Sequence, residues 1–292
     1  MLKNITLGQY FPADTPIHRL DPRTKIILAL VLLITVFVVR SFLGFAVFAV
    51  FILIAAGMAR VKLRVLMRSV GPLLFIIILT FILNIFFSTA PIELRRFDIL
   101  QLPADHVEIT DQTVTVPADW YLVSWGALKI SAAGLIRALF IAIRLTLLIM
   151  ATSLLTLTTS PMQLTDGLEG LLSPLAKLHF PVHEMAMMMS IAMRFIPTLI
   201  DETDRIMKAQ TARGADFDSG NIFRKAKNMV PLLVPLFVSA FKRADELALA
   251  MEARCYRGGE GRTRLHQPRM HAGDIVALII TLALCTALMI WL

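Results

Sequence analysis

The chain has 292 residues, of which 57% are hydrophobic and only 17% charged. Soluble domains carry about 45–50% apolar and about 25% charged residues, so composition excludes an ordinary globular enzyme and indicates one polytopic membrane protein. The net charge of +8 does not point to nucleic acid, because the basic residues cluster beside apolar runs without aromatic interleaving.

Residues 1–25 form a polar leader containing Pro12, Pro16 and Pro22. No cleavable signal is expected, since the first apolar run follows this leader and lacks a small-residue cleavage pattern. Asp21-Pro22-Arg23-Thr24-Lys25 predicts a helix start, with Asp21 as cap and Pro22 in the first turn. Residues 26–58 are apolar except for Arg40. As one straight helix they would reach about 50 Å, beyond a bilayer core of roughly 30 Å. A split at Arg40-Ser41 into two short spans is therefore predicted. Arg60, Lys62, Arg64 and Arg68 follow without an acid and mark the cytoplasmic side. A third span is predicted over 72–90.

Residues 91–126 carry Glu93, Asp98, Asp105, Glu108, Asp111 and Asp119 against only Arg95 and Arg96, which places this loop outside. Weak alternation over 106–116 permits a short hairpin. A fourth span is predicted over 127–157, with Arg137 and Arg144 seven apart on one face. These arginines either snorkel, line a helix interface or mark a transport path. A final span covers 275–292.

Between the fourth and last spans, residues 160–272 hold 15 of the 29 Lys and Arg with 12 acids interspersed. A short helix is predicted over 161–172 and two long ones over 184–213 and 221–254, kinked at Pro197 and at Pro231 and Pro235. Residues 185–200 and 229–241 are apolar enough to pass for spans. If both crossed, Arg205, Lys208, Arg213, Arg224, Lys225 and Lys227 would lie outside, so a cytoplasmic or membrane-edge placement is predicted instead. Apolar faces of that size require a covering partner. Met185, Met187, Met188, Met189 and Met193 suit an adaptable contact surface.

Both long helices end on the same short string, Ala209-Gln-Thr-Ala212-Arg213-Gly214 and Ala250-Met-Glu-Ala253-Arg254-Cys255. Alanines three apart share a helix face and allow close approach. The arginine after them sets a cation and a fork of donors at the helix C-terminus, where the dipole favours positive charge. One such end is a common cap; two in succession predict docking into grooves of a partner.

Motifs for chemistry are missing. Gly258-Gly-Glu-Gly261-Arg-Thr263 lacks the lysine of a phosphate loop. His183-Glu184 begins like a zinc-protease helix, but position 187 is methionine, and Pro181 separates His179 from His183. No G-x-S-x-G elbow is present. Cys255 and Cys285, one in a polar region and one in an apolar run, predict neither a disulfide nor a metal site. No cofactor and no nucleic-acid partner are expected.

With these residues in place, the chain resembles the transmembrane T component of energy-coupling factor (ECF) vitamin transporters, the EcfT family with CbiQ- and BioN-like members. The resemblance is carried by Gly8-Gln9-Tyr10, Ile17-His18-Arg19-Leu20-Asp21-Pro22-Arg23, Thr158-Thr159-Ser160-Pro161, Arg194-Phe195-Ile196-Pro197 and the two Ala-Arg motifs. Both motifs read Ala-Arg-Gly in that family, so Cys255 departs from the pattern. The resemblance implies an all-α polytopic membrane protein of the bacterial inner membrane with about five transmembrane helices. It implies a cytoplasmic N-terminus and a block of long kinked coupling helices over 158–273. It further implies a non-catalytic subunit joining two ABC ATPase subunits to a small membrane substrate-binding (S) subunit. Ala212, Arg213, Gly214, Ala253, Arg254 and Cys255 would dock the ATPases, and Met185, Met188, Met189 and Phe195 would meet the S subunit. The alternatives are a conventional permease with its own substrate path, a membrane-embedded enzyme and a scaffold that meets no ATPase.

Overall fold

The computed structural model describes residues 10–87, 92–95, 108–109, 113–116, 121–125, 128–178, 180–215, 217, 222–256, 258 and 270–291. Gly8, Gln9, His179, the 259–263 stretch and much of the acidic 91–126 loop lie outside the described residues. The chain divides into two compact units, residues 8–160 with 268–292, and residues 161–267 with 1–7.

In the first unit, α1 (Pro22–Val38) starts where Asp21 accepts a hydrogen bond from the Arg23 N–H at 2.9 Å, with Pro22 in the first turn. It stops at an extended Val39, and α2 (Phe42–Met58) restarts at once because the Ser41 hydroxyl accepts from the Gly44 N–H. The split at Arg40-Ser41 is therefore present. Arg144 donates to the Val39 carbonyl at 2.9 Å, and its guanidinium lies 5.7 Å from the Phe45 ring centre. This arginine satisfies a helix-end carbonyl in an apolar setting, which answers its place in the sequence without a transport path.

The third span begins earlier than expected. Helix α3 (Leu63–Val70) runs through a 3₁₀ turn at Gly71–Leu73 into α4 (Leu74–Phe87), and residues Leu63–Ile85 form a single stretch long and apolar enough to cross a bilayer. Pro72 sits in the first positions of the 3₁₀ turn, where its missing N–H costs little, so it does not open a new helix. Arg64 and Arg68 consequently lie on the exposed side of a helix whose Leu66 and Val70 are buried.

Helix α5 (Ala132–Thr158) also departs from the expected 127–157. The Ser131 hydroxyl accepts from the Gly134 N–H and fixes the start, while Leu128–Ser131 is strand β5 paired with β4 (Tyr121–Trp125). Before it, β3 (Thr113–Val116) pairs antiparallel with both β1 (Ile92–Arg95) and β2 (Glu108–Ile109). The 106–116 hairpin is thus present, with Ile109 opposite Val114, and the β4–β5 ribbon is an addition to it. The fold class remains all-α, with these short strands confined to one loop.

Helix α5 is the hub. It packs against α1, α2, α3 and α4, and α1 packs in turn against α9 (Ala272–Trp291). The buried core holds Val36, Phe48, Ile52 and Leu66, with Phe42 edge-on and Phe45 tilted against Phe140 at 4.6 and 4.8 Å between ring centres. Residues Ala132–Thr158 and Ala272–Ile290 are also long and apolar enough to span, so among the described residues three of the five expected spans meet that measure, while α1 and α2 are 17 residues each. Phe75, Ile76, Ile279 and Ile290 remain exposed, as lipid-facing side chains do.

The leader folds back onto the end of α5. The Phe11 N–H donates to the Leu157 carbonyl, and the His18 Nε2–H donates to the Phe11 carbonyl at 3.0 Å, leaving Nδ1 to accept from the Thr15 hydroxyl at 2.7 Å. Burial pushes the His18 imidazole below its ordinary range, in keeping with a neutral ring that donates once and accepts once.

In the second unit, α6 (Pro161–Leu172) matches its expected bounds and is followed by a 3₁₀ turn at Ser173–Leu178. Helix α7 (Val182–Ala212) contains Pro197, and α8 (Ile222–Ala253) contains Pro231 and Pro235. His183 Nδ1 lies 3.1 Å from Glu169 Oε1 and ties α7 to α6.

Candidate functional site: two capped helix ends

Glu202 on α7 faces Ser239 and Arg243 on α8, accepting from the hydroxyl at 2.7 Å and from the guanidinium at 2.6 Å. Further along, Ile191, Phe195 and Leu199 of α7 and Arg243, Leu247 and Met251 of α8 line one apolar groove of about 280 Å³. Since Glu202 meets Ser239 and Arg243 while Ile191 and Met251 share a groove, the two helices run antiparallel. Both rows advance by four residues, the spacing whose interdigitation gives crossings near 50°.

From this ion pair, α7 continues ten residues to Ala212 and α8 continues ten residues to Ala253, in opposite directions. Each arm is about 15 Å long, so the ends lie about 30 Å apart. The sequence showed two like helix ends; only packing reveals arms of equal length about a common point.

The two ends close with the same bonds. At the first, the Gly214 N–H donates to the Thr211 carbonyl and the Ala215 N–H to the Gln210 carbonyl. At the second, the Cys255 N–H donates to Glu252 and the Tyr256 N–H to Met251. Both are Schellman caps, with the arginine as the last half-helical residue and the next residue left-handed. Gly214 has φ +88° and Cys255 has φ +58°. The turn that glycine would favour therefore forms at Cys255 as well, at the expense of a strained non-glycine residue.

Ala212, Arg213, Gly214, Ala253, Arg254 and Cys255 are all exposed, as are Ala209 and Ala250 behind them. Neither Arg213 nor Arg254 has a side-chain partner among the described residues. Each end thus offers a small-residue face, an exposed arginine and the dipole of a long helix.

A paired substitution reads the cap strain. No heavy atom lies within 4 Å of where a Cβ on Gly214 would stand, so Gly214→Ala should cost about 1 kcal/mol from backbone conformation alone. Cys255→Gly should gain a similar amount, about 0.5–1 kcal/mol. Hydrogen exchange at the Ala215 and Tyr256 amides should accelerate in the first variant and slow in the second. Unchanged exchange in both would contradict the cap assignment.

The substrate-subunit candidates divide. Met185, Met188 and Met189 are exposed on α7, whereas Phe195 is half-buried in the groove against α8. A second exposed apolar stripe, Val230, Val234, Phe237, Val238 and Phe241 on α8, was not singled out residue by residue in the sequence. Its i, i+4, i+7, i+8 and i+11 spacing is the signal that identifies it. The polar cluster of Glu202, Ser239 and Arg243 carried no local signal.

Comparison with known proteins follows the same lines. Residues 13–265 match the family model CbiQ, described as cobalt transport protein. The chain is 48% identical over 284 residues to the energy-coupling factor transporter transmembrane protein EcfT of Clostridium kluyveri, covering 97% of this chain and 95% of that one. It is 48% identical over 280 residues to the EcfT of Thermosediminibacter oceani, covering 96% and 95%. It is 43% identical over 293 residues to the EcfT of Bacillus subtilis, covering 100% and 99%. With a family match over residues 13–265 and similarity across nearly its whole length, this chain belongs to the CbiQ/EcfT family of energy-coupling factor transporter transmembrane proteins.

Proposed function

We propose that this chain is the energy-coupling subunit of an ATP-driven micronutrient importer, joining two ABC ATPase subunits to a separate membrane protein that binds the vitamin or metal ion. The supporting observation is the pair of like helix ends, each ten residues from the Glu202–Arg243 ion pair and each presenting an arginine without a partner among the described residues. Two equal ends about 30 Å apart suit two copies of one partner related by a two-fold axis. Arg213 would enter a groove of one ATPase subunit and Arg254 the same groove of the other, where a carboxylate or helix-end carbonyls would satisfy each fork. Catalysis would belong to those subunits.

In this reading the N-terminus and residues 161–267 lie in the cytoplasm of a bacterial cell, beneath the inner membrane, and the 91–126 loop lies outside. Closing of the ATPase pair would draw the two ends together. The antiparallel rods would scissor about Glu202–Arg243, and their exposed apolar faces, with Met185, Met188 and Met189 on one and Phe237 and Phe241 on the other, would pass the movement to the S subunit. A permease with its own path is less well supported, because Arg144 is engaged at the end of α1.

The test is co-expression of this chain with candidate ATPase and S subunits, followed by purification and identification of everything bound. The proposal expects ATPase subunits at two per chain and no substrate binding by the isolated chain. Substrate binding by this chain alone would overturn it.

A further inference from the structure

The chain passes between its two units three times, between residues 7 and 8, just after Ser160 and just before Pro268; the last two crossings adjoin described residues at Thr158–Ser160 and His271. Both of these places are tied to the start of α1, one by the Lys25 side chain of α1 and the other by the Asp274 side chain of α9. The Lys25 ammonium donates to the Thr158 carbonyl and to the His18 carbonyl, each at 3.0 Å. One Asp274 oxygen accepts from the Asp21 N–H and the other from the His271 N–H, both at 2.7 Å. Asp21 in turn caps α1. Lys25, Asp21 and Asp274 are 5%, 5% and 2% exposed. Partners 133 and 253 positions apart in sequence are thus fixed to one post.

A buried ammonium and a buried carboxylate are costly unless their bonds are met, and each here meets a backbone group at a chain crossing. Simpler stabilisation of α1 would need Asp21 alone. The carboxylate of Asp274 also closes the first turn of α9 by reaching back to His271, as the acidic member of a capping box does. With these two crossings tied to α1, a pull carried along either segment reaches α1 together with α5 or α9.

We propose that Lys25 and Asp274 are positioning residues that clamp the crossings after Ser160 and before Pro268 to the start of α1, so that movement of the second unit is delivered to α1, α5 and α9 as one body. This rests on the energy-coupling reading above. The complex with its ATPase and S subunits, reconstituted in liposomes, provides the test for Lys25→Met, Lys25→Arg and Asp274→Asn. Lys25→Met and Asp274→Asn should keep assembly and ATP hydrolysis within about twofold and lower uptake about tenfold, with Lys25→Arg recovering most of it. Hydrolysis and uptake falling by one factor, or neither changing, would overturn the clamp.

A second readout is independent of transport. In the full chain in lipid nanodiscs, hydrogen exchange at 157–160 and at 271–274 should rise together by about tenfold in either variant, with α2 to α4 unchanged. Faster exchange only beside the substituted residue would also overturn the proposal. Wild-type complexes that hydrolyse ATP without uptake would count against the energy-coupling reading itself, while the exchange result would still judge the clamp.

Discussion

Replacing Arg213 and Arg254 together by alanine should release the chain from the ATPase partners proposed for it and abolish uptake, while the chain itself still folds and inserts. Both guanidiniums are exposed and unpaired among the described residues, so their removal leaves no buried group unsatisfied in the isolated chain. On docking each would become desolvated against its partner, where losing one member of a buried charge pair costs about 2–5 kcal/mol. A single replacement should therefore weaken binding about 30-fold or more, and the two should be close to additive, because sites about 30 Å apart share no contacts. Lysine at either position keeps the charge but loses the bidentate fork, and should fall between wild type and alanine. Binding of the ATPase subunits to the immobilised chain, measured by titration, reads all five variants. Undiminished affinity in the double alanine variant would contradict the docking role.

Substitution of Gly134 should damage the membrane bundle more than any exposed change. A Cβ there would stand 3.1 Å from the Asn84 carbonyl oxygen and 3.2 Å from that of Ile85, both backbone atoms of α4 that cannot rotate away. Close approach of this kind is the use of small residues where helices pack in lipid. Gly134→Ala should destabilise by about 1–3 kcal/mol through overpacking, although alanine favours a helix interior. Gly134→Leu should separate α4 from α5 and lower the yield of folded protein in detergent. Thermal unfolding of the purified variants checks this, and an alanine variant as stable as wild type would show that α4 relaxes freely.

What the sequence revealed followed local rules. Asp21-Pro22 and Ser41 are caps whose partners lie within three residues, so the start of α1 and the break before α2 could be read directly. The Ala-Arg strings were legible because they recur. Pro72 misled, since a proline that opens a 3₁₀ turn and one that opens a helix look alike in sequence. The start of α5 was set five residues late by Ser131, whose cap role competed with an unbroken apolar run. Beyond local reach lay Lys25 with Thr158, Asp21 with Asp274 and Glu202 with Arg243. Each is a single polar residue in an ordinary setting, and only folding supplies its partner. The equal arms of α7 and α8 belong to the same class, since arm length has no meaning until the crossing point is known.

The central claim is that the two arginine-bearing ends are buried against ATPase subunits, and Cys255 offers a direct measurement. It is exposed beside Arg254, whereas Cys285 is buried. A water-soluble maleimide should therefore label the isolated chain at Cys255. In the purified complex with both ATPase subunits bound, labelling should slow at least about tenfold, as it does where an interface excludes water. Equal labelling rates with and without the ATPase subunits would contradict the account.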